Sequence, residues 1–259
     1  MVLSILNHKG GTGKTTTTIN LGKALAMQGK NILLIDIDTQ ANLTYSLGIV
    51  NVENTIGNVL FNQCSIEQVV LTREGMNIIP ANRMLYQYEE AIIKHGYGYD
   101  LLKQSLRFQD YDFVLIDCPP SQSQLNINAL NASDHVIIPT LLDVLSLQGI
   151  HQITNTVNEV RAHLNPSLEV LGVLGVIVDE RLQLSKDVLN HIKDNFSLKV
   201  FDTYIRSNVK AAEAPSHGIS ILEYAPQSKC AIDYGQLAAE ILQLLSGKNA
   251  KSRKVKKAN

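Results

Sequence analysis

The stretch NHKGGTGKTTTT, residues 7–18, carries the residue types that hold a polyphosphate. Gly10, Gly11 and Gly13 permit left-handed backbone and close approach to an anion. The amides of Gly10, Gly11, Thr12, Gly13, Lys14, Thr15 and Thr16 can then curl around phosphate oxygens at the positive end of a following helix. Lys14 stands where a lysine reaches the β- and γ-phosphates of ATP, and Thr15 where a hydroxyl binds Mg2+. The usual pattern is G-x-x-x-x-G-K-[ST], but the place five before Gly13 holds His8, and a second lysine, Lys9, follows it.

Two other stretches end in carboxylates. YDFVLIDCPP is an apolar strand closing on Asp117, placed to face Thr15 and the metal. LLIDIDTQAN closes on Asp36 and Asp38, which alternation puts on one face. A carboxylate there can hold the attacking water in line with the γ-phosphate or support the metal shell.

These groups need a scaffold, and the apolar runs supply one. VLSILN (2–7), NILLIDID (31–38), MNIIPA, DFVLIDCP (112–119), HVIIPT (135–140), EVLGVLGVIV (169–178) and LKVFDTYI (198–205) read as strands. Helical patterns fall at 14–28, in SIEQVV, near 84–95 and 100–108, and at 145–164, 184–196 and 228–246. Several runs are apolar throughout, which suits strands covered on both faces. The expected fold is α/β: a doubly wound, mostly parallel sheet flanked by helices. The 259 residues are expected to form one domain over 1–246, with a basic, flexible tail over 247–259. Hydrophobic residues at 45% and charged residues at 18% fit a soluble globular chain.

The three cysteines, Cys64, Cys118 and Cys230, form no C-x-x-C pair, which argues against a disulfide framework or a structural zinc site. No run reaches the ~20 apolar residues that cross a bilayer, and no basic region opens a signal peptide. The expected place is the cytoplasm.

KGGTGKTTTT, LLIDIDTQAN, DFVLIDCPPS and NVKAAEAPSHG, in this order, resemble the ParA-type partition ATPases, relatives of MinD in the deviant Walker-A group of P-loop ATPases. The chain is similar to the short members that begin at the first strand. The resemblance implies that Lys9 is the signature lysine, which crosses a dimer interface to the partner's nucleotide. Hydrolysis would then depend on assembly, with two ATP molecules sandwiched between subunits. It gives Lys9, Lys14 and Asp38 catalytic roles, and Thr15, Asp36 and Asp117 the metal. It also places Arg206, Asn208 and Pro215 near the adenine. Thr39 follows Asp38 where proline is usual, and Arg206 stands where IPRNV has proline.

The resemblance further implies non-specific DNA binding by the ATP dimer, nucleoid association, and stimulation by a ParB-type partner. Candidate DNA contacts are Arg181, Lys186, Lys193, Arg206 and Lys210, together with the tail. The last 13 residues hold six Lys or Arg and no acid, which leaves 17 basic against 24 acidic residues, a net of −7, in the body. A MinD-like membrane protein would need a terminal amphipathic helix, but no apolar face continues beyond Leu245. An iron–sulfur reductase would need cysteine ligands, and Cys118 fits a small buried hydrophobe better. A cargo-positioning ATPase for protein arrays would share this chemistry and differ in partner.

Overall fold

The continuous apolar runs become strands whose residues are buried on both faces, as in a sheet covered by helices on each side. The computed structural model describes residues 1–96, 98–105, 110–196 and 198–256, and of 184, 186 and 248–256 the backbone alone. The strands are β1 (Val2–Ile5), β2 (Ile32–Asp36), β3 (Leu71–Arg73), β4 (Met76–Ile79), β5 (Phe113–Asp117), β6 (His135–Leu141), β7 (Glu169–Val178) and β8 (Ile205–Arg206). They form one sheet in the order β3-β4-β2-β5-β1-β6-β7-β8. The pairs are parallel except for β3 with β4.

The helices are α1 (Lys14–Met27), α2 (Asn42–Ser46), α3 (Ile56–Leu60), α4 (Leu85–His95), α5 (Leu101–Ser105), α6 (Gln124–Ala132), α7 (Val144–His163), α8 (Gln183–Asn195), α9 (Val209–Glu213), α10 (Ile221–Tyr224) and α11 (Lys229–Lys256). Strand alternation divides the core in two. Leu3, Ile5, Ile32 and Leu34 face α1 and α11, meeting Leu21, Leu25, Tyr234, Leu237 and Ile241. Val2, Leu33 and Ile35 face the layer of α3 to α8, meeting Val59, Ile92, Leu130, Ile150 and Val157.

Several elements differ from the sequence expectation, the short helices α2, α3, α9 and α10 among them. The run 198–205 forms strand at Ile205–Arg206 and a lone bridge at Val200, because the amides of Asp202 and Thr203 donate to the Glu240 carboxylate (both 2.9 Å). β3 was not expected. It pairs with β4 through Glu74 and Gly75, both at positive φ (50° and 78°), the mirror-type turn that two-residue hairpins favour. Nor was α6, whose three asparagines weaken the helical pattern but find carbonyl partners in the fold. Leu245 is buried against the sheet, and α11 runs on to Lys256, past residue 246.

Candidate nucleotide site

β1, β5 and β2 end level with one another: Ile5 is in register with Asp117, and Asp117 with Asp36. The loop leaving β1 and the two carboxylates therefore share the carboxyl edge of the sheet, where open α/β sheets gather ligands. Asn7 shapes the start of the loop. Its amide donates to the Pro139 carbonyl (2.7 Å), and its Oδ1 accepts from Lys9 N (2.9 Å). Gly11 and Gly13 take φ of 73° and 70°, which suits glycine. A β-carbon at Gly10 or Gly11 would meet nothing within 4 Å, and both glycines are exposed. α1 starts at Lys14 with no side-chain cap, leaving its first amides for a ligand.

The expected phosphate and metal residues converge. Thr15 Oγ1 donates to Asp117 Oδ2 at 2.7 Å, and Lys14 Nζ lies back on the Lys9 carbonyl at 3.2 Å. Burial lowers the pKa of the Lys14 ammonium, against the pull of Asp117 and Asp38. Burial raises the Asp117 carboxyl, with the Asp36 charge adding to it and the Thr15 hydrogen bond opposing. His8, where glycine is usual, has its pKa pushed down by burial and by the Lys14 charge. Asp38 borders the loop mouth with Gln40, Asn42 and Pro120, around a cavity of about 330 Å3.

Asp36 sits differently from the expectation of a metal ligand. Its Oδ1 accepts from Asp38 N (3.1 Å) and its Oδ2 from the amide and hydroxyl of Thr44 (2.9 and 2.7 Å). Its oxygens are thus engaged by protein donors, and burial raises this carboxyl too. Lys9 lies on the exposed rim rather than over its own loop. Its Nζ is 3.2 Å from Asp143 Oδ2, while Asp143 caps α7 by accepting from Ser146 N and Oγ (both 2.7 Å). Beside that cap, Val144 and Leu145 are exposed apolar side chains.

A second cavity, also about 330 Å3, shares Gly13 and Thr16 with the loop mouth and extends past Ile177, Asn208, Val209 and Tyr234. Its position and apolar lining suit a nucleotide base. Ile177 is a β-branched residue at φ 56°, set in a register shift of β7 that turns it outward toward this cavity. Arg206 also lines it, but its guanidinium is clamped to the buried Asp233 and lies 3.9 Å from Glu180. Pro215, in a 3-10 turn (Ala214–His217), is not among the lining residues. A larger cavity of about 620 Å3 lies among Val59, Cys64, Ser105 and Asp110, remote from the phosphate loop.

Among the described side chains, the candidate DNA residues do not form one free patch. Arg181 pairs with Asp179 and Lys210 with Glu213, while Arg206 is compensated by Asp233. Lys193 is exposed on α8, and the Lys186 side chain lies outside the described residues. Asn7, Thr44 and Asp143 were not foreseen as site residues. The one readable signal was Asp143-x-x-Ser146, the spacing of a helix cap.

A family model described as an AAA domain matches residues 1–170. The chain is 42% identical over 246 residues to the sporulation initiation inhibitor protein Soj of Bacillus subtilis (strain 168), covering 93% of this chain and 97% of that one. It is 40% identical over 240 residues to the chromosome-partitioning ATPase Soj of Thermus thermophilus, covering 93% and 94%. In structure it is similar to cobyrinic acid a,c-diamide synthase from Mycobacterium smegmatis with bound ATP analog and magnesium. That match has a TM-score of 0.84 at 33% identity over 95% of each chain.

Proposed function

The chain belongs to the ParA/Soj family of P-loop partitioning ATPases, and on that premise we propose that it is a Mg2+-dependent ATPase that segregates plasmid or chromosomal DNA. ATP closes two copies into a dimer that binds DNA without sequence preference. Hydrolysis, stimulated by a ParB-type partner, opens the dimer and releases the DNA. The observation that carries this reading is the meeting of Lys14, Thr15 and Asp117 at level strand ends, with Lys9 free of its own loop on the rim.

Each residue has a physical task. The Lys14 ammonium and the loop amides offset the phosphate charge. Thr15 and Asp117 present hydroxyl and carboxylate oxygens, hard donors that suit Mg2+. When bound, that ion offsets charge on the β- and γ-phosphates. Asp38 holds the attacking water at the loop mouth. Lys9 leaves Asp143 and reaches the partner's phosphates, a contribution of the arginine-finger kind, worth roughly 10³–10⁵ in rate. The base lies between Ile177 and Asn208.

DNA contact falls to Lys193, Arg181, Lys210 and the basic terminus. Arg181 and Lys210 are held in exposed ion pairs, which are weak and exchange readily for a phosphate. A gel-shift with ATP, ADP and no nucleotide, run beside liposome sedimentation, tests the reading. ATP-dependent retention on DNA with nothing sedimenting supports it. Sedimentation without DNA retention replaces it with a membrane-acting relative.

A further inference from the structure

We infer that Asp36 and Thr44 form the positioning device of the hydrolytic loop: Asp36 acts as a remote helix cap that fixes Asp38 at one end and α2 at the other, and the Thr44 hydroxyl holds that cap in place. The inference rests on the reading above, in which Asp38 directs hydrolysis.

Helix α2 begins badly on its own. Its N-cap is Ala41, at φ 53° and with no side-chain oxygen to offer the first amides. Asp36 makes up the deficit from the end of β2. Its Oδ2 accepts from Thr44 N at 2.9 Å, the bond an N-cap side chain would accept, and from Thr44 Oγ1 at 2.7 Å. Its Oδ1 accepts from Asp38 N at 3.1 Å. The turn between them is also closed internally, by Gln40 N on Asp38 Oδ1 (2.9 Å) and Ala41 N on the Asp38 carbonyl (2.8 Å).

No proline stiffens residues 38–41, so the aim of the Asp38 carboxylate is set by these hydrogen bonds. Thr44 holds a second anchor: its Oγ1 accepts from Ala81 N at 2.9 Å, just beyond β4. Asp36 and Thr44 are 0% and 1% exposed, so water offers neither a substitute partner. A hydroxyl at position 44 that both donates to Asp36 and accepts from Ala81 is satisfied at both ends. Valine at this position fills the same volume and offers neither bond.

Thr44→Val and Thr44→Ser in the full chain test the inference, with ATP turnover measured beside MgADP affinity. Thr44→Val is expected to lower kcat roughly ten- to a hundredfold, as a catalytic group misplaced by a fraction of an ångström does, with MgADP affinity kept within about twofold. Thr44→Ser keeps both bonds and is expected to turn over within about twofold of wild type. A Thr44→Val protein with wild-type kcat overturns the inference. So does one that loses kcat and MgADP affinity in proportion, since a merely structural defect does that.

Should Thr44→Val not fold, amide hydrogen exchange of the wild type decides. Slow exchange at Asp38 and Thr44 supports the device, and exchange there as fast as in the exposed loop 51–54 refutes it. A wild type with no turnover above Lys14→Ala refutes the proposed function itself. An active wild type with an unaffected Thr44→Val refutes only this device.

Discussion

Burial strips water from the Lys14 ammonium, and the charges that offset the loss, Asp117 and Asp38, belong to the same site. A triphosphate entering the loop gives that ammonium anionic partners at short range in a place where screening is weak. Lys14→Ala should therefore weaken ATP binding by about 2–5 kcal/mol, the range for removing one member of a desolvated charge pair. Titration with a fluorescent ATP analogue measures it, and an affinity within threefold of wild type would remove Lys14 from the site. The places of Lys14 and Thr15 were legible because the loop is read from neighbours in the chain, and that of Asp117 because a strand end advertises itself. Asp143 and Thr44 were not. Asp143 meets Lys9 across 134 residues, a pairing that only the fold creates. Asp36 illustrates the converse: alternation gave its face correctly, but nothing in the sequence revealed that Thr44 would occupy its Oδ2.

At the scale of elements, α1 carries the phosphate loop and α11 holds α1 in place. Their contact centres on Tyr234, 1% exposed, whose hydroxyl is 3.3 Å from Thr17 Oγ1. Tyr234→Ala should cost about 3–5 kcal/mol through the cavity it leaves, and Tyr234→Phe about 0.5–1.5 kcal/mol through one weak hydrogen bond. Denaturant titration separates the two. Equal losses would mean that the hydroxyl, not the packing, joins the helices. Tyr234 also borders the cavity proposed for the base, so MgADP should restore part of the lost stability by mass action. The long elements were legible from periodicity, and β7 fell on the expected residues Glu169–Val178. The short ones were not, because tertiary partners decide them. β3 exists because β4 offers it an edge, while residues 202 and 203 are drawn out of strand pairing by Glu240. Propensity over two or three residues cannot anticipate either outcome.

For the whole molecule, the proposed binding to DNA has to overcome a body of net charge −7, which DNA repels. Of the body's candidate DNA contacts, Arg181, Arg206 and Lys210 each have a carboxylate partner. The six Lys and Arg of residues 247–259 have no acid among them, and a dimer brings two such segments. Leu245 is buried and anchors α11 before that segment begins, so a chain lacking 247–259 keeps that anchor and every residue of the phosphate loop. The truncated chain should keep its ATPase rate in the absence of DNA and lose DNA affinity. Its salt dependence carries the sharper information, because log K falls by about 0.9 per phosphate neutralised for each unit of log salt. If half of the dimer's twelve terminal cations touch phosphate, truncation flattens that slope by roughly five. A slope that does not move would assign the contacts to Lys193, Arg181 and Lys210, whose carboxylate partners would then have to yield to the DNA backbone.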